Sequence, residues 1–142
     1  MPHGYRIVRS NEGIDFDELA ALLKSADLAD FDAVTRKKAF EGSSIVAYVF
    51  QKDLLVGCGR ALSDGAYEAA LYDVAVLPAY QGRGLGRLIV ETILAELEGQ
   101  NVIFFASVGK EAFYEKLGCL RMSTGMAHWR NPQRMRERGY SA

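Results

Sequence analysis

The chain has 142 residues, of which 49% are hydrophobic and 25% charged, and its formal net charge is -1. That length suits one domain, residues 1–142, with a core of its own, and the near-neutral charge gives no reason to expect nucleic-acid binding. The apolar runs are too short to span a bilayer and Met1-Pro2-His3-Gly4-Tyr5-Arg6 lacks a signal-peptide core, so a cytoplasmic chain with no membrane partner is expected.

Tyr5 to Val8 reads as a first strand, broken by Asn11-Glu12-Gly13. Asp15 can cap a helix, with Glu18 three residues on and Phe16, Leu19, Leu22 and Leu23 as its apolar face. A second helix is predicted from Asp32 to Phe40, ending near Gly42. Ser44 to Phe50 and Leu54 to Leu62 form a predicted hairpin around Gln51-Lys52-Asp53. After Ser63-Asp64-Gly65 comes a strand from about Tyr67 to Leu77, then a glycine-rich loop, then a helix to about Glu98. Asn101 to Ala106 is a further strand, and the stretch Gly109 to Gly118 reads as a short helix closed by Gly118. Leu120 to Met122 and Met126 to Trp129 are predicted short strands, followed by a basic tail over 130–142 that reads as solvated, with reach to a partner subunit or a cofactor phosphate as the alternatives. This order predicts an α/β (mixed α+β) domain, a mixed sheet with helices on both faces. Cys58 and Cys119 have no metal or redox spacing, and His3 and His128 are too far apart to suggest a metal site, so reduced thiols and no metal are expected.

The rest of the chain is organised around Val74-Ala75-Val76-Leu77-Pro78-Ala79-Tyr80-Gln81-Gly82-Arg83-Gly84-Leu85-Gly86-Arg87. A strand runs through a glycine-rich turn straight into a helix whose apolar positions are Leu85, Leu88, Ile89, Ile93 and Leu97. The first turn of a helix offers amides without partners, and with the dipole these favour an anion. Gly82, Gly84 and Gly86 carry no Cβ, so a phosphate can approach the main chain. Two familiar phosphate loops fail on spacing. A Walker loop needs Lys then Ser or Thr after its last glycine, whereas Gly86 is followed by Arg87 and Leu88. The dinucleotide pattern G-x-G-x-x-G places its last position on Arg87 or Ile89.

Gln81-x-x-Gly84-x-Gly86, preceded by Val-Ala-Val-Leu-Pro-Ala-Tyr, resembles the pyrophosphate loop of the GCN5-related N-acetyltransferases, the GNAT family. Ala112-Phe113-Tyr114-Glu115-Lys116-Leu117-Gly118 resembles the second hallmark of that family. Cys119 stands where Phe usually follows, and Ser107 stands where the family often has a cofactor-holding Asn. The resemblance implies the GNAT fold, a central mixed, mostly antiparallel sheet with one splayed parallel strand pair. It implies acetyl-CoA as cosubstrate, held by the main chain of Gln81, Gly82, Arg83, Gly84, Leu85, Gly86 and Arg87, with Ser107 and Phe113 beside it. Main-chain atoms around Val74, Ala75 and Val76 would align the thioester and polarise its oxygen. The side chains of Arg83 and Arg87 either touch a phosphate oxygen or are solvated.

By the same resemblance Tyr114 is the candidate acid for the departing thiolate, and a packing tyrosine is the alternative. Asp73, just before the cofactor loop, is the candidate base or anchor for the amine. Its alternative is a carboxylate bonded to a neighbouring loop. Glu68 and Tyr72 are weaker candidates on that strand, and the glutamate of the family's histone-acetylating branch falls on Ala70 here. Asp27, Asp30, Asp32 and Glu18 make the acceptor region acidic, and Phe31 and Phe40 make it aromatic. Arg60-Ala61-Leu62-Ser63-Asp64-Gly65, Tyr72-Asp73-Val74, Phe105-Ala106-Ser107 and Gly125-Met126 with Trp129 resemble the plant and cyanobacterial serotonin N-acetyltransferase branch. That resemblance implies acetyl transfer to a small arylalkylamine or other small primary amine, by direct attack in a ternary complex. A protein-lysine or N-terminal acetyltransferase and a non-enzymatic acyl-CoA-binding module are the other readings. Homodimers are common among such proteins, and no stretch of the sequence specifies an interface.

Overall fold

The computed structural model describes residues 3–142; Met1 and Pro2, part of the stretch read as lacking a signal-peptide core, lie outside them. Two compact units follow one another, the first ending at Phe104 and the second running from Phe105 to Ala142.

The first unit holds β1 (Arg6–Val8), α1 (Phe16–Ser25), α2 (Ala33–Glu41), β2 (Ile45–Gln51), β3 (Leu54–Ser63), β4 (Glu68–Val76), α3 (Leu85–Glu96) and β5 (Asn101–Ile103). The strands form one sheet in the order β1-β2-β3-β4-β5, antiparallel except for the parallel β4–β5 pair. The mixed, mostly antiparallel sheet expected from the sequence is therefore the one observed.

Local chemistry sets the helix starts. Asp15 Oδ1 accepts from the amides of Asp17 and Glu18 at 3.0 and 3.2 Å, and Asp32 Oδ1 accepts from Thr35 N at 2.8 Å. The Glu18 carboxylate accepts from Leu55 N at 3.1 Å, so it ties α1 to the start of β3 instead of reaching back to its own helix.

One face of the sheet buries Leu19, Leu22 and Leu23 of α1 and Phe40 of α2 against Val46, Tyr48, Leu55, Cys58 and Ala75. Each such leucine, at 0–1% exposure, contributes roughly 1.5–3 kcal/mol by leaving water. The opposite face carries α3. There β3 presents Gly57 and Gly59, alternating with Cys58 on the first face. A Cβ at Gly57 would lie 2.9 Å from Ile89 Cδ1, and one at Gly59 would lie 2.7 Å from Ile89 Cγ2. Both glycines let α3 settle directly onto the strand, which fixes where its N-terminus points.

Two irregularities shape β4. Opposite Gly59 the ladder passes from Arg60↔Tyr72 to Cys58↔Ala75, so Asp73 and Val74 face one residue in a β-bulge. Asp73 takes φ +56 there, a left-handed conformation rare for a residue with a side chain. On the other edge the β4–β5 ladder ends at Ala70 and Ile103, while β4 runs on to Val76. The parallel pair thus parts beside the bulge, and β5 is shorter than the predicted Asn101–Ala106.

The second unit holds α4 (Glu111–Lys116) and α5 (Pro132–Glu137). It corrects the sequence reading at the two predicted strands. Leu120–Met122 and Met126–Trp129 form no strands; Leu120 and Met126 are 90% and 95% exposed. Two three- or four-residue segments around Ser123-Thr124-Gly125 are too short to hold a hairpin on their own. Trp129 joins an aromatic cluster instead, its ring 5.1 Å from Phe105 and its Nε1 donating to Ser141 Oγ at 2.6 Å. The basic tail is largely exposed, as expected, and within it a short helix forms. Asn131 caps α5 by accepting from Arg134 N at 3.1 Å, and Tyr140 packs on Phe105 with centroids 5.5 Å apart.

Among the described residues no helix is long and apolar enough to cross a membrane, and no group of His, Cys, Asp and Glu is placed to hold a metal ion.

Candidate active site

The loop after β4 is closed by local bonds. A single turn over Pro78–Tyr80 sends Tyr80 N to Leu77 O at 2.8 Å, and Gln81 Nε2 donates to Val76 O at 3.1 Å. Gln81 therefore ties the loop back to the strand that precedes it. Gly82 and Gly84 take φ +78 and +80, and a Cβ at either would project into open space. Glycine is required there by conformation, since a left-handed turn is what swings the chain into α3. Gly84 caps α3 with no side-chain bond, and the first turn holds no acidic residue. The first ladder bond is Leu88 N to Gly84 O at 3.0 Å, which leaves the Leu85, Gly86 and Arg87 amides at the helix mouth. Open space, free-standing amides and the positive end of a twelve-residue helix together make a seat suited to an anion.

Arg83 and Arg87 flank this seat and are held by protein partners. Arg83 Nη1 donates to the Tyr5 hydroxyl at 3.0 Å, with its guanidinium 5.0 Å from the Tyr80 ring centroid. Arg87 forms an ion pair with Glu91 one turn on.

Upstream, Ala75 and Val76 are buried and pair with Cys58 and Gly57 of β3. Their other edge is the one β5 leaves open. Asp73 sits at the bulge with both carboxylate oxygens facing guanidiniums. Oδ2 accepts from Arg60 Nε at 2.7 Å, and Oδ1 lies 3.5 Å from Arg36 Nη1. Arg36 is 4% exposed. It also donates through Nη2 to Leu28 O and lies 5.1 Å from the Phe31 ring centroid. Burial lowers its guanidinium pKa from the usual value, and Asp73 opposes that shift. Tyr72, an exposed residue, lies over the Arg60 guanidinium at 5.1 Å, with Phe40 at 5.6 Å also against it.

In the second unit, Ser107 O accepts from Lys110 N at 2.9 Å and Glu111 Oε1 accepts from Gly109 N at 2.7 Å, which turns the chain into α4. Tyr114 lies on α4 with its ring 4.9 Å from Phe113. Its carbonyl accepts from Leu117 N and Cys119 N at 3.0 and 3.1 Å, a close made by Gly118 at φ +90. Burial, with a smaller contribution from Cys119, pushes the Tyr114 phenol up to about 12.

The first unit thus brings together Asp73, Val74 to Val76 and Gln81 to Arg87, and the second holds Ser107, Phe113 and Tyr114. Arg36 was missed by sequence reasoning, because Thr35-Arg36-Lys37-Lys38 reads as a solvated helix face. Two acidic residues read as acceptor surface have structural partners: Asp32 caps α2 and Glu18 holds β3.

A family model described as an acetyltransferase (GNAT) domain matches residues 42–118, from the hairpin through Gly118. The protein named uncharacterized N-acetyltransferase ycf52 of Pyropia yezoensis is 32% identical over 124 residues, covering 82% of this chain and 71% of that one. Serotonin N-acetyltransferase 2, chloroplastic, of Oryza sativa subsp. japonica is 29% identical over 142 residues, covering 93% and 71%. In fold, the GNAT family acetyltransferase SP0256 of Streptococcus pneumoniae TIGR4 superposes with a TM-score of 0.76 at 22% identity, covering 89% of this chain and 98% of that one. The glycine-rich loop after β4 and the α4 signature both lie within the matched span, and the chain belongs to the GNAT family of acetyl-CoA-dependent N-acetyltransferases.

Proposed function

We propose that the acceptor is a small primary amine with an aromatic body, of the arylalkylamine class. The observation that carries this reading is the likeness, over 93% of the chain, to a protein named serotonin N-acetyltransferase. Tyr72, which lies exposed beside Arg60, is aromatic surface suited to such a body.

The reaction joins the amine nitrogen to the acetyl carbonyl carbon in a ternary complex. The carbon–sulphur bond breaks, the amine gives up one proton and the thiolate takes one. The α3 amides and the loop from Gln81 to Gly86 hold the pyrophosphate. Main-chain atoms of Val74 to Val76, on the edge that β5 leaves, align the thioester and polarise its oxygen. Tyr114 donates toward the departing sulphur. Asp73 gives both its oxygens to arginines, which suits an anchoring role better than proton uptake.

An amine panel read by thiol release tests the acceptor class. Tryptamine- and phenylethylamine-type amines are expected to give the highest kcat/KM, ahead of polyamines, lysine peptides and free N-terminal peptides. Turnover confined to the peptides would make this a protein acetyltransferase, and CoA binding without turnover of any amine would make it a binding module.

Gly84→Val tests the seat itself. A β-branched residue at φ +80 costs roughly 1–2 kcal/mol in backbone strain and stands in the space that the phosphates need. Acetyl-CoA affinity is expected to fall about tenfold or more by calorimetry, since 1.4 kcal/mol is tenfold. Unchanged affinity would place the pyrophosphate elsewhere.

A further inference from the structure

Residue 73 is held at its carboxylate and at its carbonyl. Arg60 and Arg36 take its carboxylate, and the Cys58 thiol, kept protonated by burial, donates to its carbonyl at 3.3 Å. These contacts come from α2 and β3 and converge on the one residue of β4 in left-handed conformation. The bulge brings both Tyr72 and Asp73 to Arg60, where strand alternation alone would send one of them away.

Nothing about this arrangement is economical for stability. Arg36 is almost fully buried, and its Nε has no hydrogen-bond partner among the described residues. A buried ion pair is often no better for stability than well-packed apolar side chains, so its retention calls for another reason. Fixed geometry is one. Relaxing residue 73 to an ordinary extended conformation would remove the bulge and turn the Val74 and Ala75 peptides.

We propose that Arg36 and Arg60 are positioning residues for acetyl transfer: they clamp Asp73 in its left-handed conformation, and the bulge so fixed aims the main chain of Val74 to Val76 at the thioester carbonyl. The clamp rests on the reading above that this main chain aligns the thioester. It acts on the carbonyl alone, because the pyrophosphate seat lies on α3 and its loop.

The test follows the carbonyl band of enzyme-bound, carbon-13-labelled acetyl-CoA by isotope-edited infrared spectroscopy, beside kcat and KM. In the unaltered protein the band is expected below that of the free thioester. In Arg60→Met the band returns toward the free position and kcat falls about tenfold, while KM for acetyl-CoA moves by less than about twofold, the pattern of a group misplaced rather than a site lost. Arg60→Lys, which keeps a cation within reach of Asp73, restores part of both. Should Arg60→Met not fold, Arg60→Gln carries the same test, since it keeps a donor and loses the charge. A folded Arg60 variant with the unaltered band and full kcat overturns the clamp and leaves the thioester reading standing. A band unshifted in the unaltered protein overturns both, because no main-chain group then polarises the carbonyl.

Discussion

Tyr114→Phe is expected to lower kcat by about 10²–10⁴-fold, the usual worth of a positioned proton donor, with acetyl-CoA affinity unchanged. The substitution removes one oxygen from a half-buried ring and leaves the Phe113 contact and the α4 close intact. The raised phenol refines what that oxygen does. At about 12 it holds its proton more firmly than a thiol near ~8.5. Complete transfer from Tyr114 to a free thiolate is therefore uphill. On the proposed reading, the phenol would serve as a hydrogen-bond donor to the sulphur as charge builds there, with net proton delivery coupled to the proton that the attacking amine sheds. The sign of the pH dependence follows. The donor form is present at all pH below the raised value and is lost only as pH rises through about 12. A plot of kcat against pH should show no fall assignable to Tyr114 before pH ~11. An alkaline fall near pH ~10 that disappears in Tyr114→Phe would mean an ordinary, solvated phenol.

Much of this site was legible in the sequence because its signals are local. Gly82 and Gly84 are where a turn demands positive φ, and a helix follows at once, so composition and spacing report the loop and its helix directly. Asp15 and Asp32 cap their helices for the same local reason. What escaped were features set by distant partners. Arg36 has lysines after it and no apolar period of its own, and only the approach of α2 to the bulge turns it inward. The bulge at Asp73 is equally silent, since aspartate tolerates a left-handed backbone better than most residues but no local signal sets this one apart from the chain's other aspartates. The predicted strands over Leu120–Met122 and Met126–Trp129 failed for the converse reason. Their residues have strand composition, but Trp129 is drawn into a cluster with Phe105 and Tyr140, which propensity cannot foresee.

Substitutions at Asp73 are expected to separate the two things that this residue does. Asp73→Ala removes the anion shared by two guanidiniums, whose side chains are 5% and 16% exposed. Leaving buried charge without its partner costs about 3–5 kcal/mol. Alanine must also occupy φ +56 or drag the bulge out of register, a further ~1–2 kcal/mol. Asp73→Gly loses the anion but takes the left-handed conformation freely. Urea unfolding midpoints should therefore fall for both, with glycine the more stable by about 1–2 kcal/mol. Combining Asp73→Gly with Arg36→Met removes the more deeply buried of the two stranded cations, and an apolar chain of similar length fills its place. That double variant is expected to recover part of the first loss, since replacing a buried pair is often near neutral while Arg60 still lacks its partner. Restored stability with kcat still low would show that the ion cluster serves the geometry of β4 more than the integrity of the fold. If glycine and alanine instead unfold alike, the left-handed backbone at residue 73 carries no strain of its own, and the arginines hold only charge.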